Sequence, residues 1–216
     1  MLLKYANYNG EAPQNVLDPG ATFNLTVTAP QDFWRQPPDV DIFTAPMLYQ
    51  SMSLHSFLRA RVTATADWTT LYEQGGLVIV LPTRTDNLEV KNKRRWIKAG
   101  IEYYDGAPHL SVVMADGWAD WSMMPMPGNC PKVTLEIERS TRGSESWDGK
   151  ESLWVYILDA EGNRKAVRQV TDVFENGEDG ELWVGAYAGK PGETVKGETG
   201  SQLTVQFSDF NIERVA

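Results

Sequence analysis

The chain has 216 residues, with 20 Lys and Arg against 29 Asp and Glu, and a formal net charge of −9. A nucleic-acid partner needs a basic face to neutralise phosphates, and this balance opposes one. One cysteine, Cys130, and two histidines, His55 and His109, exclude an internal disulfide framework and a cysteine- or histidine-rich zinc site, so no metal or other cofactor is expected.

Taken in chain order, the first fifteen residues lack the apolar run of a secretory signal. No stretch reaches the roughly 20 apolar residues of a membrane span. A soluble, cytoplasmic chain with no membrane partner is the expectation. "ATFNLTVTA" places Phe23, Leu25 and Val27 on one strand face, and "SFLRARVTATA" places Leu58, Ala60, Val62 and Ala64 opposite Arg59, Arg61, Thr63 and Thr65. "GGLVIVLP" is apolar on both faces and predicts a strand central to a packed sheet. Lys91, Lys93, Arg94 and Arg95 form the one basic cluster and read as a solvated loop. Further strands are predicted near 96–104, 109–115, 119–123, 132–139, 152–158, 165–171, 181–187 and 202–213, with a short helical turn near 172–176. The connections 82–93, 140–152 and 189–201 are polar loops, and "EDGE" (178–181) reads as a solvated turn rather than a calcium loop. These elements predict an all-β, two-sheet antiparallel jelly-roll sandwich, folded as one domain over 1–216.

The stretch "RRWIKAGIEYYDGAPHLSVV" (94–113) carries the sharpest pattern. Trp96, Lys98, Gly100, Glu102 and Tyr104 share one face, while Ile97, Ala99, Ile101 and Tyr103 suit a core. Asp105-Gly106 is a hairpin signal, and the following Ala-Pro suggests a loop over 105–108. Tyr104 would then oppose His109, Glu102 would oppose Ser111 and Gly100 would oppose Val113, with Cβ atoms about 4.5–5.5 Å apart. One patch would hold Trp96, Lys98, Glu102, Tyr104, His109 and Ser111. Its aromatics suit stacking on sugar rings, and its carboxylate suits accepting hydroxyl hydrogen bonds. Contact with Lys98 would keep Glu102 ionised. Gly100 would let a ligand or a backbone approach. The plainer alternative is that Trp and Tyr only pack, that Lys98 and Glu102 form a surface pair, and that His109 caps the turn.

"DFWR" (32–35), "YEQGGLVIVL" (72–81), "WIKAGIEYYDGAPHLSVV" (96–113) and "ADWS" (119–122), followed by "VTLEIER", "LWVYILDAEG", "LWVGAYAGKPGE" and "LTVQFSDFNI", resemble a family of domains of unknown function with a concanavalin A-like lectin/glucanase fold. The resemblance covers roughly 30–214. The family is similar to a yeast cytosolic protein named for regulation of enolase, and to bacterial domains attached to carbohydrate-active enzymes. It implies that the polar-aromatic patch lies on a concave sheet with Asp120 and Ser122 beside the hairpin; by alternation those two share a strand face and Trp121 points away. Gln74 could add an amide to the cleft, and Trp34 and Arg35 a rim. The fold hosts lectins, hydrolases, lyases and interaction domains, so it does not choose among them.

A glycosidase needs two carboxyl groups flanking the scissile bond. Glu102 with Asp120 is the pairing that an enzyme would use here. Glu136 and Glu138 share a strand face but read as a solvated outer surface. Cys130, between Asn129 and Pro131, is not a nucleophile. The expectation is therefore a non-catalytic domain binding a carbohydrate or other small polar ligand. A saccharide hydrolase or lyase and a protein-binding regulator of carbohydrate metabolism are the alternatives.

Overall fold

The computed structural model describes residues 2–8, 16, 18, 20–83, 94–140, 151–171, 173–174, 180–192 and 200–215. Its strands are β1 (Lys4–Ala6), β2 (Thr22–Thr28), β3 (Phe33–Gln36), β4 (Val40–Phe43), β5 (Met47–Ser53), β6 (Phe57–Thr65), β7 (Gln74–Leu81) and β8 (Arg95–Tyr104). They continue with β9 (Ala107–Ala115), β10 (Ala119–Pro125), β11 (Lys132–Arg139), β12 (Leu153–Leu158), β13 (Arg164–Val170), β14 (Glu181–Gly189) and β15 (Gln202–Arg214). Two single 3-10 turns, Leu54–Ser56 and Pro127–Asn129, are the helical elements among the described residues. No helix there is long and apolar enough to cross a membrane. Of the predicted helical turn, residues 173 and 174 form a bend and the rest lies outside the described residues, as do Lys91, Lys93, Glu178 and Asp179.

Two antiparallel sheets face each other, as the alternation predicts. One has the order β1-β5-β14-β7-β8-β9-β10 and the other β13-β12-β11-β6-β15-β2. The alternating faces meet between them. Leu25, Val27, Ala60, Val62, Ile97, Ala99, Ile101, Leu135, Ile137, Val205 and Phe207 join one continuous apolar core. Leu58 is half-buried, and Phe57 takes the buried place at the start of β6.

The seven-stranded sheet is covered on its other face as well. The hairpin of β3 and β4 forms a separate small sheet and packs there, building a second apolar cluster from Phe33, Met47, Tyr49, Val78, Val80, Trp96, Val113 and Tyr187. This double cover explains why every residue of β7 is buried and why it reads as apolar on both faces. At the seam between β7 and β8, Gly76 lies opposite Gly100. A Cβ on Gly100 would sit 2.1 Å from the Gly75 carbonyl oxygen, so the space Gly100 leaves is taken by backbone and not by a ligand.

Candidate functional site

The β8–β9 hairpin closes more tightly than its Ala-Pro suggests. Asp105 (φ 50°) and Gly106 (φ 74°) both occupy left-handed backbone, so the loop is these two residues alone. Tyr104 therefore opposes Ala107, Glu102 opposes His109, Gly100 opposes Ser111 and Lys98 opposes Val113. The register moves by two residues, which keeps each side chain on its predicted face.

The first half of that face is closed. Trp96 is 0% exposed and Lys98 2% exposed, both beneath the β3–β4 hairpin. The Lys98 ammonium donates to Gln74 Oε1 (2.6 Å) and the Phe33 carbonyl (2.8 Å), and approaches Asp32 Oδ1 at 3.3 Å. It also lies 5.7 Å from the Trp96 ring centre. Gln74 donates its amide to Asp32 Oδ1 at 3.0 Å, and the Tyr187 hydroxyl reaches Gln74 Oε1 at 3.4 Å. These groups satisfy one another under the hairpin. A buried cation requires such partners, so Trp96, Lys98 and Gln74 anchor the cover and line no open groove. Arg35 is likewise no rim residue. It sits on the same hairpin face as Phe33, 2% exposed, and its guanidinium is held by Asp41 (2.7 Å) and the Arg94 carbonyl (2.7 Å).

The second half stays accessible at its margin. The Ser111 hydroxyl donates to Glu102 Oε2 at 2.7 Å, and the Trp121 indole N–H donates to the Ser111 oxygen at 3.0 Å. Glu102 is 6% exposed, the Trp121 indole also stabilises its carboxylate, and no direct hydrogen bond reaches Oε1 among the described residues. Above it, Tyr72, Tyr104 and Trp121 form a triangle of rings with each pair of centres 6.1 Å apart. Trp34 meets Trp121 edge-on at 5.9 Å, so it does stand at the rim, and His109 meets Tyr104 edge-on at 5.9 Å. His109 Nδ1 lies 3.0 Å from the Ala107 carbonyl, a contact with the turn as well as with the rings.

Burial pushes the Glu102 carboxyl above its ordinary pKa, opposed by the Lys98 charge and the Ser111 hydrogen bond. Lys98 spends its hydrogen bonds on Gln74, Phe33 and Asp32 and makes no ion pair with Glu102. Desolvation therefore outweighs the charge that was expected to keep this group ionised.

Two placements on β10 are inverted relative to expectation. Trp121 opposes Val113, which faces the hairpin, so Trp121 points into the site. Asp120 and Ser122 point to the opposite face, where Arg168 of β13 reaches Asp120 Oδ2 at 2.5 Å and lies 3.5 Å from the Ser122 hydroxyl. β10 and β13 are edge strands of the two sheets. Asp120 stays largely exposed on that face. Asp120 is thus unavailable as a second catalytic carboxylate for Glu102.

Glu136 and Glu138 are not a solvated pair. Glu136 is fully buried within reach of Arg59, Arg61 and Arg164, and Glu138 pairs with Arg164.

Tyr72 had no periodic signal to reveal it. It stands in left-handed backbone (φ 66°), a conformation that costs a non-glycine residue about 1–2 kcal/mol. Its neighbour Glu73 holds the turn. One oxygen accepts the Thr69 and Thr70 N–H groups (2.6 and 3.0 Å), and the other pairs with buried Lys190 at 2.6 Å. The Tyr72 N–H donates to the Tyr103 carbonyl at 2.7 Å, which fixes its ring over β8.

Comparison with known proteins agrees with this architecture. A protein of Emericella nidulans called "Uncharacterized protein AN7484" is 37% identical over 209 residues, covering 96% of this chain and 94% of the relative. "Regulation of enolase protein 1" of Saccharomyces cerevisiae is 29% identical over 126 residues, 58% of either chain. Among solved structures, a functionally unknown protein from Saccharomyces cerevisiae superposes with a TM-score of 0.64 at 22% identity, over 99% of this chain and 97% of that one. The GH43 BlXynB protein from Bacillus licheniformis superposes with a TM-score of 0.53 at 13% identity, over 86% of this chain and 32% of that one. At these identities the solved structures speak for the fold alone, a concanavalin A-like sandwich. Residues 10–215 match the protein-of-unknown-function family DUF1349, and the chain belongs to that family.

Proposed function

We propose that this protein is a non-catalytic binding domain for a saccharide, with its site at the margin of the hairpin rather than along the sheet. The observation that carries the reading is the ring triangle of Tyr72, Tyr104 and Trp121 beside Glu102, whose Oε2 accepts from Ser111 and whose Oε1 receives no direct hydrogen bond among the described residues. Pyranose C–H faces stack on such rings, while a hydroxyl can donate to the carboxylate. Hydrolysis is disfavoured even though a raised carboxyl suits a general acid, because Asp120 faces away and Asp32 is engaged by Lys98 and Gln74.

A protein-binding regulator is the second reading. It is favoured by the 61% exposed Trp118 and 48% exposed Met124 beside and within the edge strand β10, and by the name of the yeast relative.

The test is a panel of neutral oligosaccharides titrated against the wild type and Trp121→Ala, with product analysis. Expected is binding without cleavage, weakened at least about tenfold by Trp121→Ala, as for loss of a stacking aromatic. Cleavage by the wild type, or equal binding by the variant, would overturn the reading.

A further inference from the structure

The charges around the ring triangle do not balance. Asp32 is offset by Lys98 at 3.3 Å, and Glu73 by Lys190 at 2.6 Å. Asp120 is offset by Arg168 on the far face. Glu102 has neutral donors, the Ser111 hydroxyl on Oε2 and the Trp121 indole, and among the described residues no cation bonds to it, the Lys98 charge acting only at a distance. Among the described residues, the lysine and arginine nearest the site are occupied and aimed elsewhere, since Lys98 donates beneath the hairpin and Arg35 is held by Asp41 and the Arg94 carbonyl. An anionic ligand would meet a carboxylate and, among the described residues, no lysine or arginine free to receive it. A cationic ligand would meet that carboxylate beside aromatic rings, whose faces attract positive charge.

Resting on the saccharide reading above, we infer that the site selects ligands bearing an ammonium group, an amino sugar in preference to a neutral one, and excludes uronic acids and sugar phosphates. The ammonium donates to Glu102 Oε1 and adds a charge–charge attraction that a neutral hydroxyl lacks. The sugar ring lies against Tyr72, Tyr104 and Trp121. No bond is made or broken. Ser111 is the positioning residue: its hydroxyl joins the indole of Trp121 to Glu102, so the ring face and the carboxylate are held as one unit.

The experiment uses three methyl glycosides of one pyranose, differing only at C6: the hydroxyl, the amine and the carboxylate. Each is titrated at neutral pH while the tryptophan indole resonances are followed. The amine is expected to bind about tenfold more tightly than the hydroxyl, with the carboxylate not binding. Glu102→Gln, which keeps an acceptor for Ser111, should bring the amine down to the affinity of the hydroxyl. Equal or weaker binding of the amine by the wild type overturns the inference without any variant, and so does an amine preference that survives in Glu102→Gln. If no glycoside binds, the saccharide reading fails, and choline against its uncharged carbon isostere dimethylbutanol then tests the charge preference alone. Choline binding in the wild type but not in Glu102→Gln would uphold that preference, and equal behaviour of the two probes would end it.

Discussion

Tyr72 stands in left-handed backbone and is 36% exposed, so its conformation is maintained by the turn around it rather than by its own burial. Replacing it tests the two roles separately. Tyr72→Ala removes the ring and keeps the strain, whereas Tyr72→Gly removes both. Tyr72→Gly should therefore be the more stable by about 1 kcal/mol, measured by urea unfolding, while both lose ligand. Equal stabilities would mean that the backbone carries no strain there. Glu102 gives a pH signature. Its folded pKa is raised above the ordinary 4.5, so below that value the carboxyl is protonated in both states. As pH rises past it, the unfolded chain ionises first, and the fold loses stability until its own carboxyl ionises too. Glu102→Gln lacks this loss, so its advantage over the wild type should grow from pH 4.5 upward and then level off. A difference independent of pH would contradict the buried placement. Lys98, Glu102 and His109 were legible as neighbours because strand parity survives a shift of two residues. The direction of Trp121 was not legible. In "ADWS" the polar residues look suited to a ligand face, and only the pairing of β10 with β9 shows that they face Arg168.

Strands with one face on the core were readable from alternation, as β2, β6 and β11 show. β5, "MLYQSMS", was not, because its first four residues are all buried and no period of two remains. The β3–β4 hairpin was hidden for a different reason: its Pro37-Pro38 and charged residues resemble a loop, and its partner is a sheet face distant in sequence. The seam between β7 and β8 gives the sharpest test at this scale. Gly100→Ala would place a methyl group 2.1 Å from the Gly75 carbonyl oxygen. Because the obstacle is backbone, relief needs the strands to separate, and a cost of at least about 3 kcal/mol is expected. A thermal midpoint within a degree or two of the wild type would show that the strands can part cheaply.

Across the molecule, the seven-stranded sheet is a layer shared by two apolar clusters, one against the six-stranded sheet and one under the hairpin. Disturbing the smaller cluster should therefore destabilise the whole. Phe33 is fully buried against Phe43, Trp96 and Tyr187, and Phe33→Ala should cost about 3–5 kcal/mol. Calorimetry is expected to show one transition, lowered by on the order of 10 °C. Two separated transitions would mean that the hairpin is an appendage. The sandwich was legible because it follows from many local patterns added together. The filling of its outer face was not, because it rests on one long-range docking event.

That filled face also limits what shape of molecule the proposed site would take. An uncovered sheet offers a trough in which a polymer can lie lengthwise, several units deep. Here, among the described residues, Phe33 and Trp34 stand across that face, and the aromatic rings of Trp34, Trp121 and Tyr72 lie at its β8–β9 hairpin end. A saccharide chain bound there would enter by its tip and leave the remainder in solvent. Affinity should then level off after one or two units as the chain lengthens, and capping the terminal unit should abolish it.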